Sequence, residues 1–193
     1  MIHSLPVCHQ CLEQFDMIEQ TINFYHYPLH ILYHYNDFFK SLLFQYKGLY
    51  DHALKDAFLC LYIDELKKQY HDYIVVVAPS SEKDNEVRGF APTQSIASCF
   101  SSHVFNGLYK KERYKQSDLS YAERKDVNQK IGIRDGNMLE GQKVLIFDDV
   151  VTSGSTLLTC LSLTLANHPK TVELLVLSTK KKIEDLRFDE KED

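Results

Sequence analysis

The stretch Val144-Leu-Ile-Phe-Asp-Asp-Val-Val-Thr-Ser-Gly-Ser-Thr156 decides how the 193-residue chain is read. Val144 to Phe147 is a continuous apolar run, the pattern of a strand buried on both faces. Asp148 and Asp149 close it. Two adjacent carboxylates there cannot both be buried unpaired without large cost, so they are expected to face a ligand cleft and accept hydrogen bonds from vicinal hydroxyls or hold a hydrated magnesium ion through its water. Soon after comes Thr152-Ser153-Gly154-Ser155-Thr156, directly ahead of a helical pattern. Gly154 lets the backbone turn tightly and approach a ligand. The loop amides and the positive helix end converge on an anion, and four hydroxyls add donors. Acids for hydroxyls beside amides for a phosphate describe a sugar phosphate. An ordinary strand-to-helix turn explains each feature singly, but not their order on one strand. GxxxxGK[ST] and GxGxxG patterns are absent, which excludes a Walker-type loop and a dinucleotide fingerprint.

Outward from this segment the pattern repeats. YIVVVAP (73–79) and TVELLVLST (171–179) are further apolar strands, and HILYHY (30–35) alternates as a strand does. Asn36 or Asp37 can cap a helix over DFFKSLLFQYK that Gly48 ends. Asp51 opens a second predicted helix reaching about Gln69, with apolar residues at 54, 58, 61, 62 and 66 on one face. A polar stretch, Ser80 to Gly89, precedes a helix over 91–102; VFNGLYK (104–110) reads as a strand and 110–130 as a long loop. Strands alternating with helices predict an α/β fold with a parallel sheet covered on both faces. Ligands bind beyond the carboxyl ends of such strands, where the polar segments 79–90 and 148–156 both begin.

A hydrophobic content of 44% suffices for one sizeable core. The net charge of −5 excludes a chain that is polybasic throughout, so contact with nucleic acid has to be local. No apolar run approaches the roughly 20 residues that span a bilayer, and the N-terminus does not read as a secretory signal. Of five cysteines, Cys60, Cys99 and Cys160 lie alone in helical patterns, as buried small hydrophobes do in a reducing compartment. The expectation is a cytoplasmic protein without membrane insertion.

VLIFDDVVTSGST is similar to the phosphoribosyl pyrophosphate signature of type I phosphoribosyltransferases. The resemblance implies that fold, a parallel sheet flanked by helices. It implies that Asp148 and Asp149 meet the ribose 2- and 3-hydroxyls. Thr152, Ser153, Gly154, Ser155 and Thr156 then form the 5-phosphate loop, and magnesium bridges the pyrophosphate. Further segments resemble the ComF competence-protein family: YNDFFKSLLFQYKG, ending Gln45-Tyr46-Lys47-Gly48; Pro79 nine residues before Arg88-Gly89-Phe90; and the stretches 115–120 and 123–128. By this resemblance Pro79, Ser80, Lys83 and Arg88 belong to the pyrophosphate loop. Cys8-His-Gln-Cys11 resembles one half of the family's N-terminal zinc ribbon. Three departures stand out. Lys83 and Arg88 are the loop's cations where the family usually has more, Ala91 replaces the usual Asn, and there is a single CxxC.

The domain reading is therefore an N-terminal CxxC segment (1–28), the remnant of a zinc ribbon, then a phosphoribosyltransferase-like domain (29–182) and a charged tail (183–193). Cys8 and Cys11 are the candidate Zn2+ ligands. With His26 and His30 they give C-x2-C-x14-H-x3-H, close to zinc-finger spacing, although nine histidines make such a pair easy to find by chance. Residues 110–134 hold eight cations against four anions, with Tyr109, Tyr114 and Tyr121 interleaved. Such a loop is suited to closing over a diphosphate, to holding single-stranded nucleic acid, or simply to solvation. Two functions stay open, besides a regulator that keeps the ligand pocket but has lost the chemistry. The resemblance alone implies a phosphoribosyl pyrophosphate-binding protein that works with DNA-uptake proteins on single-stranded DNA in natural transformation. The alternative is an active phosphoribosyltransferase of nucleotide salvage or related metabolism. There Arg88, Lys83 and magnesium serve the departing diphosphate, and Asp148 and Asp149 the oxocarbenium-like sugar. No base-recognition hood is identifiable near the C-terminus.

Overall fold

The apolar runs become the middle of a six-stranded sheet. A computed structural model describes residues 7–111 and 131–186. In it β7 (Lys143–Val151) lies between β3 (Ile74–Val77) and β8 (Thr171–Thr179), parallel to both. β8 pairs in parallel with β2 (Tyr27–His34), and β3 with the short β4 (Val104–Phe105). β1 (Met17–Phe24) adds antiparallel at the far edge, giving the order β1-β2-β8-β7-β3-β4.

Successive residues of the central strands feed two cores, which is why these strands show no polar alternation. Val75, Val77, Leu145, Phe147, Leu175 and Leu177 point to one face. There they meet α2 (Asp37–Gly48), a 3-10 segment (His52–Leu59), α3 (Ile63–Gln69) and α5 (Pro92–Phe100). Val76, Val144, Ile146, Leu174 and Val176 point to the other, covered by α6 (Ser155–Leu165) and the antiparallel pair β5 (Leu108–Lys110) and β6 (Ile131–Ile133).

Asn36 caps α2 by accepting from the Phe39 amide at 2.8 Å. Its own amide donates to the Gln14 carbonyl at 2.8 Å, pinning the N-terminal segment to the same point. Near the other end, the buried Tyr46 hydroxyl donates to the Pro92 carbonyl at 2.9 Å and ties α2 to α5. The C-terminus of α2 is thereby fixed over the carboxyl end of the sheet, where the acids of β7 lie.

Several local expectations change. The predicted helix from Asp51 to Gln69 is two pieces, a 3-10 segment and α3, because Ala57, Phe58, Leu59 and Cys60 are all buried and one helical stripe cannot bury four successive residues. VFNGLYK divides at Asn106-Gly107: β4 stays in the main sheet while β5 leaves it to pair with β6. A side chain at Gly107 would collide with the Arg134 carbonyl. The polar stretch after Pro79 contains α4 (Glu82–Arg88), capped by Ser81 and ended by Gly89 at φ +80°. Within the segment assigned to residues 1–28, Met17–Phe24 is the sheet's edge strand, and a short helix α1 (His9–Leu12) precedes it. β1 showed no period in sequence because Phe24 alone among its residues is buried. Cys60 and Cys160 are buried as expected, whereas Cys99 is half-buried. Among the described residues no helix is long and apolar enough to cross a membrane.

Candidate functional site

β7 carries its two acids just past the apolar core. Asp149 is 8% exposed, and its carboxylate pairs with the ammonium of Lys47, in the last turn of α2. Asp148 accepts the Asp149 amide on Oδ1 at 2.8 Å. Burial pushes the Asp148 carboxyl up to about 6, and the positive charges of Lys47 and Lys110 hold it back from rising further. Burial likewise pulls Lys47 down to about 8; Asp148 opposes that fall, while Arg88 and Lys110 add to it. A lysine from a distant helix thus offsets the cost of placing the buried Asp149 beside the half-buried Asp148.

After Val151 the chain turns through Thr152, Ser153 and Gly154, the last at φ +79°. That left-handed conformation suits glycine and sets the direction of α6. Gly154 at the N-cap has no side chain to cap α6; the Ser155 amide donates to Ser153 Oγ at 3.4 Å, and the positive dipole end faces the turn. Ser153 Oγ and Ser155 Oγ lie 2.9 Å apart. A pocket of about 30 Å³ is bounded by Asp148 and by Thr152 through Thr156. Asp148 and the turn from Thr152 to Thr156 thus line one pocket.

The segment from Pro79 joins the acids through Lys47. Ser80 donates to Asn85 Oδ1 at 2.8 Å. Arg88 donates through Nε to the Lys47 carbonyl at 2.9 Å and through a terminal nitrogen to Asn85 Oδ1 at 3.2 Å. Its guanidinium lies 5.9 Å from the ring centres of both Tyr50 and Phe90. Arg88 thus reaches the acids by way of Lys47. Lys83 lies in the first turn of α4, among Glu82, Asp84 and Glu86. The cations acting on Asp148 and on one another are Lys47 from α2, Arg88 from α4 and Lys110 from β5.

Lys47 and Lys110 are the site residues that reading the sequence did not assign. A lysine at the end of a helix ordinarily reads as a solvated charge favoured by the dipole. Its one signal was its place in the Gln45-Tyr46-Lys47-Gly48 ending. A second cavity, about 170 Å³, adjoins the Pro79 segment and is lined by Ser80, Asn85, Thr93, Gln94, Asn106 and Arg134 among others. Arg134 stacks 4.2 Å over the Tyr109 ring at its edge.

The four-ligand zinc spacing is not assembled. His30 lies on β2, where its ring nitrogens meet Thr21 Oγ1 at 2.8 Å and Glu173 at 3.1 Å. His26 sits in the turn between β1 and β2 at φ +72°. Cys8 and Cys11 do come together, with Sγ atoms 3.5 Å apart, and supply two of the four ligands a structural zinc takes. Among the described residues no group of three or more His, Cys, Asp or Glu is arranged to hold a metal. Of the basic segment 110–134, Lys110, Lys111 and residues 131–134 are described; the remainder, 112–130, lies outside the described residues.

The model of the phosphoribosyl transferase domain family matches residues 60–192. Competence protein ComFC of Bacillus subtilis (strain 168) is 30% identical over 128 residues, covering 65% of this chain and 53% of its own. Competence protein ComFC of Streptococcus pneumoniae (strain ATCC BAA-255 / R6) is 29% identical over 123 residues, 64% of this chain and 55% of its own. The chain therefore spans about half the length of the curated relatives it matches. Among solved structures, the purine phosphoribosyltransferase from Pyrococcus horikoshii Ot3 aligns with a TM-score of 0.41 and 15% identity, over 69% of this chain and 81% of that one.

Proposed function

Because the chain belongs to the phosphoribosyl transferase domain family, we propose that the cleft at the carboxyl end of its sheet binds phosphoribosyl pyrophosphate with magnesium. One observation carries the reading. The first turn of α6, entered through Gly154, shares a pocket with Asp148, whose neighbour Asp149 is held by Lys47. In this arrangement Thr152, Ser153, Gly154, Ser155 and Thr156 receive the 5-phosphate on amides and hydroxyls. Asp148 and Asp149 accept hydrogen bonds from the ribose hydroxyls, which favours their charged forms. Arg88 and Ser80 face the diphosphate, with Pro79 and Lys83 in the same segment. The residues present fit a magnesium ion: a diphosphate brings more negative charge than the cations of the cleft offset beyond the two acids. When bound, the ion would supply that charge, with Asp148 and Asp149 as the carboxylates near enough to hold it through water.

A thermal melt tests the pocket. At hundredfold excess over its Kd, the magnesium complex of phosphoribosyl pyrophosphate is expected to raise the melting temperature by roughly 5–10 °C. No shift at millimolar ligand contradicts the reading.

The similarity to ComFC supports a ComF-like role within the cell, in the uptake of single-stranded DNA during natural transformation together with DNA-uptake proteins. Lys110, Lys111 and Arg134, at the two ends of the basic segment, give the DNA a place to contact. Deleting the gene in a competent host is expected to depress transformation, and unchanged transformation would defeat this part. A second reading, transfer of the phosphoribosyl group to an acceptor, is favoured by the polar cavity that shares Ser80 and Asn85 with the Pro79 segment. Pyrophosphate release during a screen of bases and amines distinguishes it from binding alone.

A further inference from the structure

The segment from Pro79 to Phe90 is poorly supplied with positive charge for a diphosphate site. Its cations are Lys83 and Arg88, set among Glu82, Asp84 and Glu86. A diphosphate needs more. The structure brings further charge from outside the segment, and the way Lys47 is held shows how.

Lys47 makes two different contacts with the two halves of the site. Its backbone carbonyl accepts from Arg88 Nε at 2.9 Å, so the lysine and the loop arginine are immediate neighbours. Its side chain runs the other way, to the carboxylate of Asp149. The lysine side chain is 31% exposed and that of Asp149 11%, so the pair sits at the lip of the cleft with the lysine on the solvent side. Lys110 acts on both Lys47 and Asp148. Three cations, Lys47, Arg88 and Lys110, thus crowd around two acids. Like charges brought together in a partly desolvated cleft repel, and a polyanion relieves that repulsion. The Tyr46 hydroxyl, bonded to the Pro92 carbonyl, fixes the backbone just ahead of Lys47, leaving the flexible side chain as the part free to change partner.

We propose that Lys47 is a diphosphate-binding residue, held on Asp149 in the free protein and transferred to the diphosphate when the ligand enters. The exchange does two things at once. It hands the ammonium to an incoming anion beside Arg88, and it frees the Asp149 oxygen to accept from a ribose hydroxyl. Lys47 then makes up for the acidic character of α4. The residue lies outside the 60–192 region that the family match covers, so its assignment comes from this chain's own geometry. The inference rests on the phosphoribosyl pyrophosphate reading of the cleft.

Titration calorimetry of the full chain, with magnesium pyrophosphate and separately with ribose 5-phosphate, tests it. Lys47→Met is expected to weaken pyrophosphate binding by roughly 10- to 100-fold, the loss of one charge-assisted contact. Ribose 5-phosphate binding should not weaken by more than about threefold, because that ligand brings no diphosphate for Lys47 to hold and the variant leaves Asp149 already free. Lys47→Arg keeps the charge and should recover most of the pyrophosphate affinity; it also serves if Lys47→Met folds poorly, which a thermal melt reports. Pyrophosphate affinity that is unchanged in Lys47→Met would overturn the assignment while leaving the ligand reading intact. So would ribose 5-phosphate affinity that falls in parallel, since it would make the lysine a structural partner of Asp149. A folded wild-type protein that binds neither ligand would overturn the ligand reading itself, and the assignment with it.

Discussion

Arg88 donates from Nε to the backbone carbonyl of Lys47 at 2.9 Å, joining the end of α4 to the end of α2 across the mouth of the cleft. With Nε and one terminal nitrogen spent on Lys47 and Asn85, the rest of the guanidinium edge is left for an anion. A lysine has one donor group and cannot make both anchoring bonds while reaching outward. Arg88→Lys is therefore expected to lower pyrophosphate affinity by at least about tenfold, although formal charge is conserved. Ribose 5-phosphate, proposed to bind at the turn 152–156, should be held within about twofold of wild type. Calorimetry with each ligand checks the split.

Gly154 stands at φ +79°, and the phosphate turn depends on it. Gly154→Ala is expected to cost about 1–2 kcal/mol of stability from backbone strain alone. The turn can relax that strain by rotating its amides away from the pocket, so ribose 5-phosphate affinity should fall by about tenfold or more. Denaturant midpoints and calorimetry report the two effects separately. Wild-type affinity in this variant would show that the turn does not hold the phosphate.

Asp148 supplies a pH test. Burial raises it to about 6 in the folded protein from an ordinary 3.8. A raised carboxyl means that the folded state holds its proton more tightly than the unfolded one. Its contribution is then fully present below about 4 and is lost as pH rises through about 6. Asp148→Asn has no such proton to lose. Relative to that variant, wild-type stability should drop by on the order of 2 kcal/mol between pH 4 and 7. Urea midpoints of the two proteins at both pH values measure it. Parallel curves would mean that Asp148 is not buried as described.

At the opposite end of the sheet, Glu173 accepts from Tyr73 at 2.6 Å and Tyr70 at 3.3 Å and meets His30 Nε2 at 3.1 Å. Glu173→Ala leaves these half-buried polar groups short of an acceptor and is expected to cost about 1–3 kcal/mol. Ligand binding should be unaffected, since Glu173 lies near the amino end of β8 and the acids near the carboxyl end of β7. A lower melting temperature with unchanged calorimetry is the expected result.

The central strands and the phosphate turn were legible because each carries its own signal. Val144–Phe147 is buried on both faces and reads as an uninterrupted apolar run, and Gly154 announces a turn. β1 was not legible, since an edge strand that buries only Phe24 has no period to detect. α4 was missed although Ser81 caps it at the Asp84 amide and Gly89 ends it, because its one apolar residue, Val87, is exposed and the helix buries nothing. Lys47 was hidden for a different reason. Its partner lies 102 residues away in sequence, and only the fold brings the end of α2 over β7. His30 shows that spacing alone does not make a ligand: its distance in sequence from Cys8 and Cys11 suits a metal, but β2 commits its ring to Thr21 and Glu173.

The most direct test is titration of the folded full chain with phosphoribosyl pyrophosphate in magnesium, beside Asp148→Asn, Asp149→Asn and Gly154→Ala. The account predicts saturable one-to-one binding by the wild type, weakened by about tenfold or more in each variant, the loss of at least one charge-assisted hydrogen bond or a turn amide. A wild-type protein that is folded by its thermal melt yet gives no binding heat at several temperatures would contradict it, as would binding that all three substitutions leave untouched.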